Sequence, residues 1–289
     1  MRSFLFVPGV RPERFDKALA CGADAVIVDL EDAVGAADKG PARQHVAAAA
    51  AAAFAASTTR VLLRINGFGT PWFDEDLSLL ALGGIDGVVL PKAENAMALE
   101  ALARATTKPI LPIVESALGV WQVLEVANGP CVERLIFGSV DLELDLDCSG
   151  TWEALLHARS QIVLASRVAG LLPPVDGVTV ALDDAAQLAI DASRARSLGF
   201  GGKLCIHPKQ VAQVNAAFSP SEEDLAKARE VVEAFERAGG GAVSVDGRMV
   251  DLPVLLKARR QLAMVACEAS SEPGGVSTCS DCVGEPRIA

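Results

Sequence analysis

Short apolar runs recur along the chain at strand length, each followed by a longer stretch with helical spacing. The runs cover residues 3–7, 25–29, 61–65, 87–90, 110–114, 134–137, 177–178 and 203–206. They are rich in β-branched and aliphatic residues, as strands are. Residues 12–21 read as a helix, and so does the alanine-rich stretch 45–56, because alanine has the highest helix propensity. Runs that are apolar on both faces and separated by helices predict a parallel sheet covered by helices. Eight such units predict a closed (β/α)8 TIM barrel rather than an open doubly wound sheet. The first βα turn, Val7-Pro8-Gly9-Val10-Arg11, has no G-x-G-x-x-G, which removes support for a dinucleotide fold.

After the eighth unit, Ser219-Pro220-Ser221-Glu222 reads as a capping box with proline at the first helical position. The helix it opens is expected to run to about residue 238. Gly239-Gly240-Gly241 makes a joint, and residues 242–266 predict a small appendage of strand, turn and helix. From about residue 270 the chain is rich in Ser, Gly, Pro and Cys and is expected to be disordered. The expected partition is a barrel over 1–238, a C-terminal segment over 239–268 and a tail over 269–289.

In a barrel of this kind the chemistry gathers where strands end and βα loops begin. Those junctions carry Asp29-Leu30-Glu31-Asp32, Arg64-Ile65-Asn66-Gly67, Leu90-Pro91-Lys92-Ala93-Glu94, Val114-Glu115-Ser116 and Gly138-Ser139-Val140-Asp141. Glu115 and Asp141 stand at the ends of adjacent strands. A small set of hard oxygen ligands suits Mg2+ better than zinc, which prefers His or Cys; the other reading is that each carboxylate caps a helix or pairs with Arg64 or Lys92. Arg64 is placed to grip a substrate carboxylate bidentately, to pair with Asp29, Glu31 or Asp32, or to do both. Lys92 invites comparison with a Schiff-base lysine, but carboxylates nearby favour a charged, paired amine. His207 is expected to cap or pack. Cys279-Ser280-Asp281-Cys282 is a lone C-x-x-C and reads as incidental.

Composition narrows the field. The 289 residues are 51% hydrophobic and carry a net charge of −11, and the richest basic run, Lys257-Ala258-Arg259-Arg260, falls in a helical pattern. A nucleic-acid surface is therefore not expected. No stretch of about 18 apolar residues is present, so no membrane span is expected. The N-terminal apolar run is too short and too soon broken for a signal peptide. The seven cysteines are scattered, and five lie in apparent core segments. A reducing cytoplasm fits that usage.

Taken in order, these motifs resemble the citrate lyase β-subunit-like proteins of the HpcH/HpaI aldolase group, which includes malyl-CoA and citramalyl-CoA lyases. The resemblance rests on Arg2-Ser3-Phe4-Leu5-Phe6-Val7-Pro8-Gly9, Val28-Asp29-Leu30-Glu31-Asp32-Ala33-Val34, Leu63-Arg64-Ile65-Asn66-Gly67 and Leu90-Pro91-Lys92-Ala93-Glu94. It continues through Val114-Glu115-Ser116-Ala117, Gly138-Ser139-Val140-Asp141-Leu142, Gly199-Phe200-Gly201-Gly202-Lys203-Leu204-Cys205-Ile206-His207-Pro208 and Asp246-Gly247-Arg248-Met249-Val250-Asp251-Leu252-Pro253.

The resemblance implies that Glu115 and Asp141 hold Mg2+ and that Arg64 binds the carboxylate of an oxo-acid such as oxaloacetate, pyruvate or glyoxylate. It implies a homotrimer in which the C-terminal segment of one subunit forms a lid over a neighbour's site, with Asp251 as acid/base residue. From the residues alone, Asp251 also reads as the N-cap of the helix that follows. Glu31, Asp32 and Lys92 would support Arg64 or metal-bound water. The implied reaction is cleavage or formation of a β-hydroxyacyl-CoA such as citramalyl-, malyl- or hydroxymethylglutaryl-CoA. The alternatives are a citrate lyase β subunit acting on a citryl acyl-carrier protein, a CoA-independent class II aldolase, and a catalytically silent barrel. One departure stands out. Relatives follow the metal aspartate with Asp-Leu-Gly, whereas the loop here places Asp147 where that glycine is expected.

Overall fold

The computed structural model describes residues 1–239 and 241–269. The expected disordered tail lies outside them, apart from residue 269. Eight parallel strands close into a barrel in chain order: β1 (Ser3–Pro8), β2 (Ala25–Asp29), β3 (Arg60–Arg64), β4 (Gly87–Leu90), β5 (Ile110–Val114), β6 (Ile136–Phe137), β7 (Val175–Asp176) and β8 (Gly202–Cys205). Strand β8 pairs back onto β1 through Ser3 and Lys203.

The connecting helices are α1 (Phe15–Leu19), α2 (Lys39–Ala49), α3 (Phe73–Leu77), α4 (Ala96–Ala105), α5 (Ala117–Trp121), α6 (Val123–Ala127), α7 (Ser139–Asp145), α8 (Trp152–Val168), α9 (Ala185–Leu198) and α10 (Pro208–Phe218). The alanine-rich helix starts earlier than its composition suggested, at Lys39, and closes in a π-turn over Ala50–Phe54. The seventh strand corrects the sequence expectation: it is Val175–Asp176, not 177–178. Strands β6 and β7 are two residues each.

Period-two alternation sorts the strand residues. Phe4, Ala25, Ile27, Leu62, Val89, Leu111, Ile113, Ile136, Val175 and Leu204 form one buried cluster, the barrel interior. The residues between them, such as Leu5, Val26, Val28, Val61, Leu63, Val88 and Val114, join a second cluster under the helices. The interior positions next toward the strand ends are Phe6, Asp29, Arg64, Glu115 and Gly138, each two residues beyond an interior apolar residue. Thus the same parity that fills the barrel aims these side chains into its mouth.

The chain divides into two compact units, Met1–Phe218 and the part from Ser219 onward. The second contains α11 (Glu222–Arg237), a hairpin of β9 (Val243–Val245) and β10 (Arg248–Val250), and α12 (Leu252–Ala269). The helix α11, which the sequence placed with the barrel, therefore belongs to this second unit. Its capping box is real but lies two residues later than expected: Ser221 caps Asp224, whose side chain returns to the Ser221 backbone. Asp246 and Gly247 both take positive φ, 48° and 74°, as a two-residue type I′ hairpin turn requires. Phe235, Val250 and Leu255 form the unit's own small core.

No helix among the described residues is long and apolar enough to cross a membrane. Of the thiols placed in core segments, Cys205 is buried, Cys21 and Cys148 are half-buried, and Cys131 is exposed.

Candidate active site

Strands β2 and β3 pair in register, with Asp29 opposite Arg64. Side chains at such paired positions on one face meet. Arg64 Nε and Nη2 donate to the two Asp29 carboxylate oxygens at 2.7 and 2.6 Å. Asp29 also accepts the backbone N–H groups of Glu31 and Ala33, at 2.8 and 3.1 Å, so it organises the loop at its own strand end. The guanidinium lies 4.8 Å above the Phe6 ring. Arg64 Nη1 faces Glu31 Oε2 at 3.1 Å and Asp32 Oδ2 at 3.5 Å. All three carboxylates weighed as partners of Arg64 are therefore present. Burial opposes the charge on Arg64, but Asp29, Glu31 and Asp32 outweigh it and keep the guanidinium protonated.

One consequence concerns substrate binding. The Nε/Nη2 edge of Arg64 is taken by Asp29, which leaves the Nη1/Nη2 edge as the one a substrate carboxylate could approach. Glu31 Oε2 is buried and finds no well-directed hydrogen bond. Burial raises the Glu31 carboxyl, against the pull of Arg64.

Lys92 follows β4 in the left-handed region, φ 50°, a conformation uncommon outside glycine and frequent at functional sites. That turn aims its backbone N–H at Glu115 Oε1, 2.7 Å away, while its ammonium pairs with Glu31 at 3.2 Å. Burial alone would lower the Lys92 amine, but Glu31, Asp32 and Glu115 raise it, so it is a charged, paired lysine and not a Schiff-base candidate.

Glu115 is 4% exposed. Burial, with Glu31 and Asp141 adding negative charge, pushes its carboxyl up to about 8. The close approach is made possible by Gly138, directly after β6, where a Cβ would fall onto the Glu115 side chain, 2.5 Å from Oε2. Asp141 stands in the first turn of α7. Among the described residues, no three His, Cys, Asp or Glu side chains are grouped as a metal cage. A buried carboxylate whose proton affinity is raised by burial and by the charges of Glu31 and Asp141 fits a hard divalent cation that draws its other ligands from water and substrate.

The loops at the ends of β2 and β3 are tied together by residues that the strand-end reading did not flag. Lys39 is 6% exposed and lies at the start of α2. Its ammonium donates to Leu30 O, Glu31 O and Asn66 Oδ1 at 2.6, 2.8 and 2.6 Å. Asn66 in turn donates through its backbone N and Nδ2 to Asp76 Oδ2, and Arg43 Nε holds Asp76 Oδ1. The signal for Lys39 was faint: one lysine ahead of the stretch read as helix, 27 residues from Asn66.

Asp176, Lys203 and Arg159 form a second buried ionic group, with Asp176 accepting from both cations at 2.9 Å. Asp176 and Lys203 have the opposite parity to Val175 and Leu204, so they face the helix layer rather than the barrel mouth. His207 accepts the Lys209 N–H at 3.1 Å through Nδ1, a capping bond at the start of α10.

Asp251 lies in the second unit and is half-buried. Its Oδ1 accepts from Val254 N at 3.3 Å, the bond of an N-cap. Asp147 takes φ 50°. The position where the resemblance predicts glycine thus has a glycine-like backbone conformation, which aspartate tolerates better than most residues.

Comparison with known proteins places this arrangement. A citrate lyase subunit beta-like protein of Deinococcus radiodurans is 40% identical over 276 residues, covering 91% of this chain and 96% of that protein. A (3S)-malyl-CoA thioesterase of Cereibacter sphaeroides is 34% identical over 268 residues, covering 91% and 93%. The crystal structure of protein CitE from Mycobacterium tuberculosis in complex with magnesium, acetoacetate and coenzyme A superimposes with a TM-score of 0.80 at 36% identity, covering 92% of this chain and 98% of that one. The profile of the HpcH/HpaI aldolase/citrate lyase family matches residues 2–208, and the chain belongs to that family.

Proposed function

We propose that this protein is a Mg2+-dependent carbon–carbon lyase that splits a β-hydroxyacyl-CoA, such as citramalyl-, malyl- or hydroxymethylglutaryl-CoA, into an oxo-acid and acetyl-CoA. The observation that carries this reading is the crowding of Glu31, Glu115 and Asp141 around one barrel mouth. There Glu115 is pushed up to about 8, near an arginine that has one edge held by Asp29 and Nη1 facing Glu31 and Asp32. A site built so suits a hard divalent cation and, at Arg64, a substrate carboxylate.

In this reading Glu115 and Asp141 hold the Mg2+, which supplies electrostatic stabilisation of negative charge developing on substrate oxygen. Arg64 orients the oxo-acid carboxylate through its Nη1/Nη2 edge. Asp29 fixes the guanidinium, and Glu31, Asp32 and Lys92 complete the charge balance around it. In cleavage the substrate hydroxyl gives up its proton to solvent water and becomes the oxo-acid carbonyl. The carbon–carbon bond breaks, and its electron pair goes to the thioester α-carbon. Asp251, on a C-terminal lid over residues 239–268 of a neighbouring subunit in a homotrimer, delivers a proton to that carbon. A cytoplasmic setting accords with the reduced thiols.

A second reading comes from the malyl-CoA thioesterase relative, in which the same thioester is hydrolysed rather than cleaved at carbon. A carrier-bound thioester, as in a citrate lyase β subunit, is the third. Incubating the purified chain with Mg2+ and the three CoA thioesters, with and without EDTA, separates them. Metal-dependent release of oxo-acid together with acetyl-CoA supports the lyase. Release of free CoA and intact hydroxy-acid supports the thioesterase. Turnover confined to an acyl-carrier-protein thioester supports the third.

A further inference from the structure

We infer that Lys39 is a positioning residue for Arg64 and Glu31, acting as a three-way tie between the loops that follow β2 and β3. The inference rests on the site reading above for its functional consequence and on hydrogen bonds alone for its structural one.

An alkylammonium has three N–H donors on one atom. Lys39 Nζ meets three acceptors at 2.6–2.8 Å, with none of its donors left over. Two acceptors are successive main-chain carbonyls, Leu30 and Glu31, directly after β2. The third is the Asn66 side chain, two residues past Arg64. Asn66 is oriented by its own partners: its NH2 donates to Asp76, so its oxygen must face the ammonium. The Trp72 ring, 5.0 Å from Nζ, covers the side of the charge that has no acceptor.

The tie therefore lies one to two residues beyond the Asp29–Arg64 register pair and closes the two strand ends against each other a second time. Asp29 accepts the Glu31 N–H as well as the guanidinium. Any shift of residues 30–31 moves both the carboxylate that anchors Arg64 and the Glu31 carboxylate that faces Arg64 and Lys92. Charge alone would be a simpler role, since Asp29, Glu31, Asp32 and Asp76 are all nearby. The two roles differ in what can replace the lysine. A guanidinium keeps the charge but spreads its donors over a plane and cannot gather three on one atom.

The experiment compares wild type with Lys39→Arg, Lys39→Met and Asn66→Ala, the last breaking the same bridge from the other side should Lys39→Met fail to fold. Two readouts are taken: amide hydrogen exchange of residues 30–33 and 66–67, and binding of oxaloacetate and of Mg2+ measured separately by calorimetry. The expected result is exchange at these residues faster by about tenfold or more, in Lys39→Arg as well as Lys39→Met. Oxaloacetate affinity falls by about tenfold or more, while Mg2+ affinity changes by less than about threefold, because Glu115 follows β5 and Asp141 lies in α7, away from the tied loops. Wild-type behaviour of Lys39→Arg overturns the positioning role in favour of charge. Unchanged exchange at 30–33 in every variant overturns it outright. Failure of wild type to bind oxaloacetate overturns the reading of the site instead, and the exchange data then decide the structural tie by themselves.

Discussion

Asp29 and Arg64 are register partners on adjacent strands and make a two-bond ion pair at 2.6 and 2.7 Å, with Asp29 1% and Arg64 9% exposed. The pair uses the Nε/Nη2 edge of the guanidinium, so a carboxylate ligand would approach the other edge, where Nη1 faces Glu31 and Asp32. Arg64→Lys keeps a charge but cannot span both Asp29 oxygens and still present a second edge. Its expected effect is a rise in the oxo-acid KM of about a hundredfold, with Mg2+ affinity retained. Arg64→Ala leaves Asp29 and Glu31 buried without their cation and is expected to cost about 3–5 kcal/mol of stability. Steady-state kinetics and urea unfolding read the two effects.

Gly138, directly after β6, makes room for Glu115. Gly138→Ala places a methyl group on the Glu115 carboxylate, and the overpacking should cost about 1–3 kcal/mol. Displacement of Glu115 should weaken Mg2+ binding far more than it weakens CoA binding. Calorimetric titration with each ligand checks this, and equal losses for both would contradict it.

The proton on Glu115 makes metal binding pH-dependent. With the folded carboxyl pushed up to about 8 from an ordinary 4.5, the folded chain keeps a proton that the unfolded chain releases. The metal-free protein therefore loses stability as pH rises through that window. Mg2+ must displace this proton below pH 8, so its affinity should climb from pH 6 to pH 8 and then level off. Melting curves with Mg2+ and with EDTA at both pH values test the sign, and titration in two buffers of different protonation enthalpy counts the proton.

Asp251 can cap a helix, transfer a proton, or do both, and one substitution separates the roles. Asparagine caps a helix as well as aspartate does. Asp251→Asn should leave the melting temperature unchanged and remove most turnover if the carboxylate carries a proton. A fully active Asp251→Asn protein would reduce the residue to its cap.

Asp176 lies between Arg159 and Lys203 under the helices. Burial opposes its charge, yet the two cations hold its carboxyl below the ordinary range. Its contribution to stability is therefore present above the ordinary carboxylate range and disappears as pH falls through the lowered value. Asp176→Asn strands two buried cations and should cost about 3–5 kcal/mol in urea unfolding. Folded molecules should keep their kcat, because this group faces away from the mouth.

Much of the mouth could be read along the chain. Arg64, Lys92, Glu115 and Asp141 each follow an apolar strand, and a charge at such a point has little reason to exist in a core. Lys39 and Gly138 could not be read this way. Lys39 precedes the stretch that reads as helix, in a place where a lysine is ordinary, and its importance comes from acceptors on two other segments. Gly138 looks like any glycine before a helix until Glu115 is packed against it. The seventh strand was misplaced by two residues because Pro173 and Pro174 hide its start and only two residues pair. The capping box slipped by two because Ser219 and Ser221 both offer a hydroxyl, and only the folded backbone selects Ser221.

By itself the sequence determined the period and the sides: eight doubly buried strands joined by helices, and charges at their ends. Those features follow from local periodicity and from the cost of burying an isolated charge, and neither depends on which strand lies beside which. Tertiary structure alone decided the pairings. Asp29 meets Arg64 because β2 and β3 are neighbours in one register, and a slip of one residue would turn either side chain to the other face. Glu115 holds its proton because closure of the barrel removes it from water and brings Glu31 and Asp141 near it. Pairing and protonation are properties of distance and solvent exclusion, and both arise only when the strands have closed.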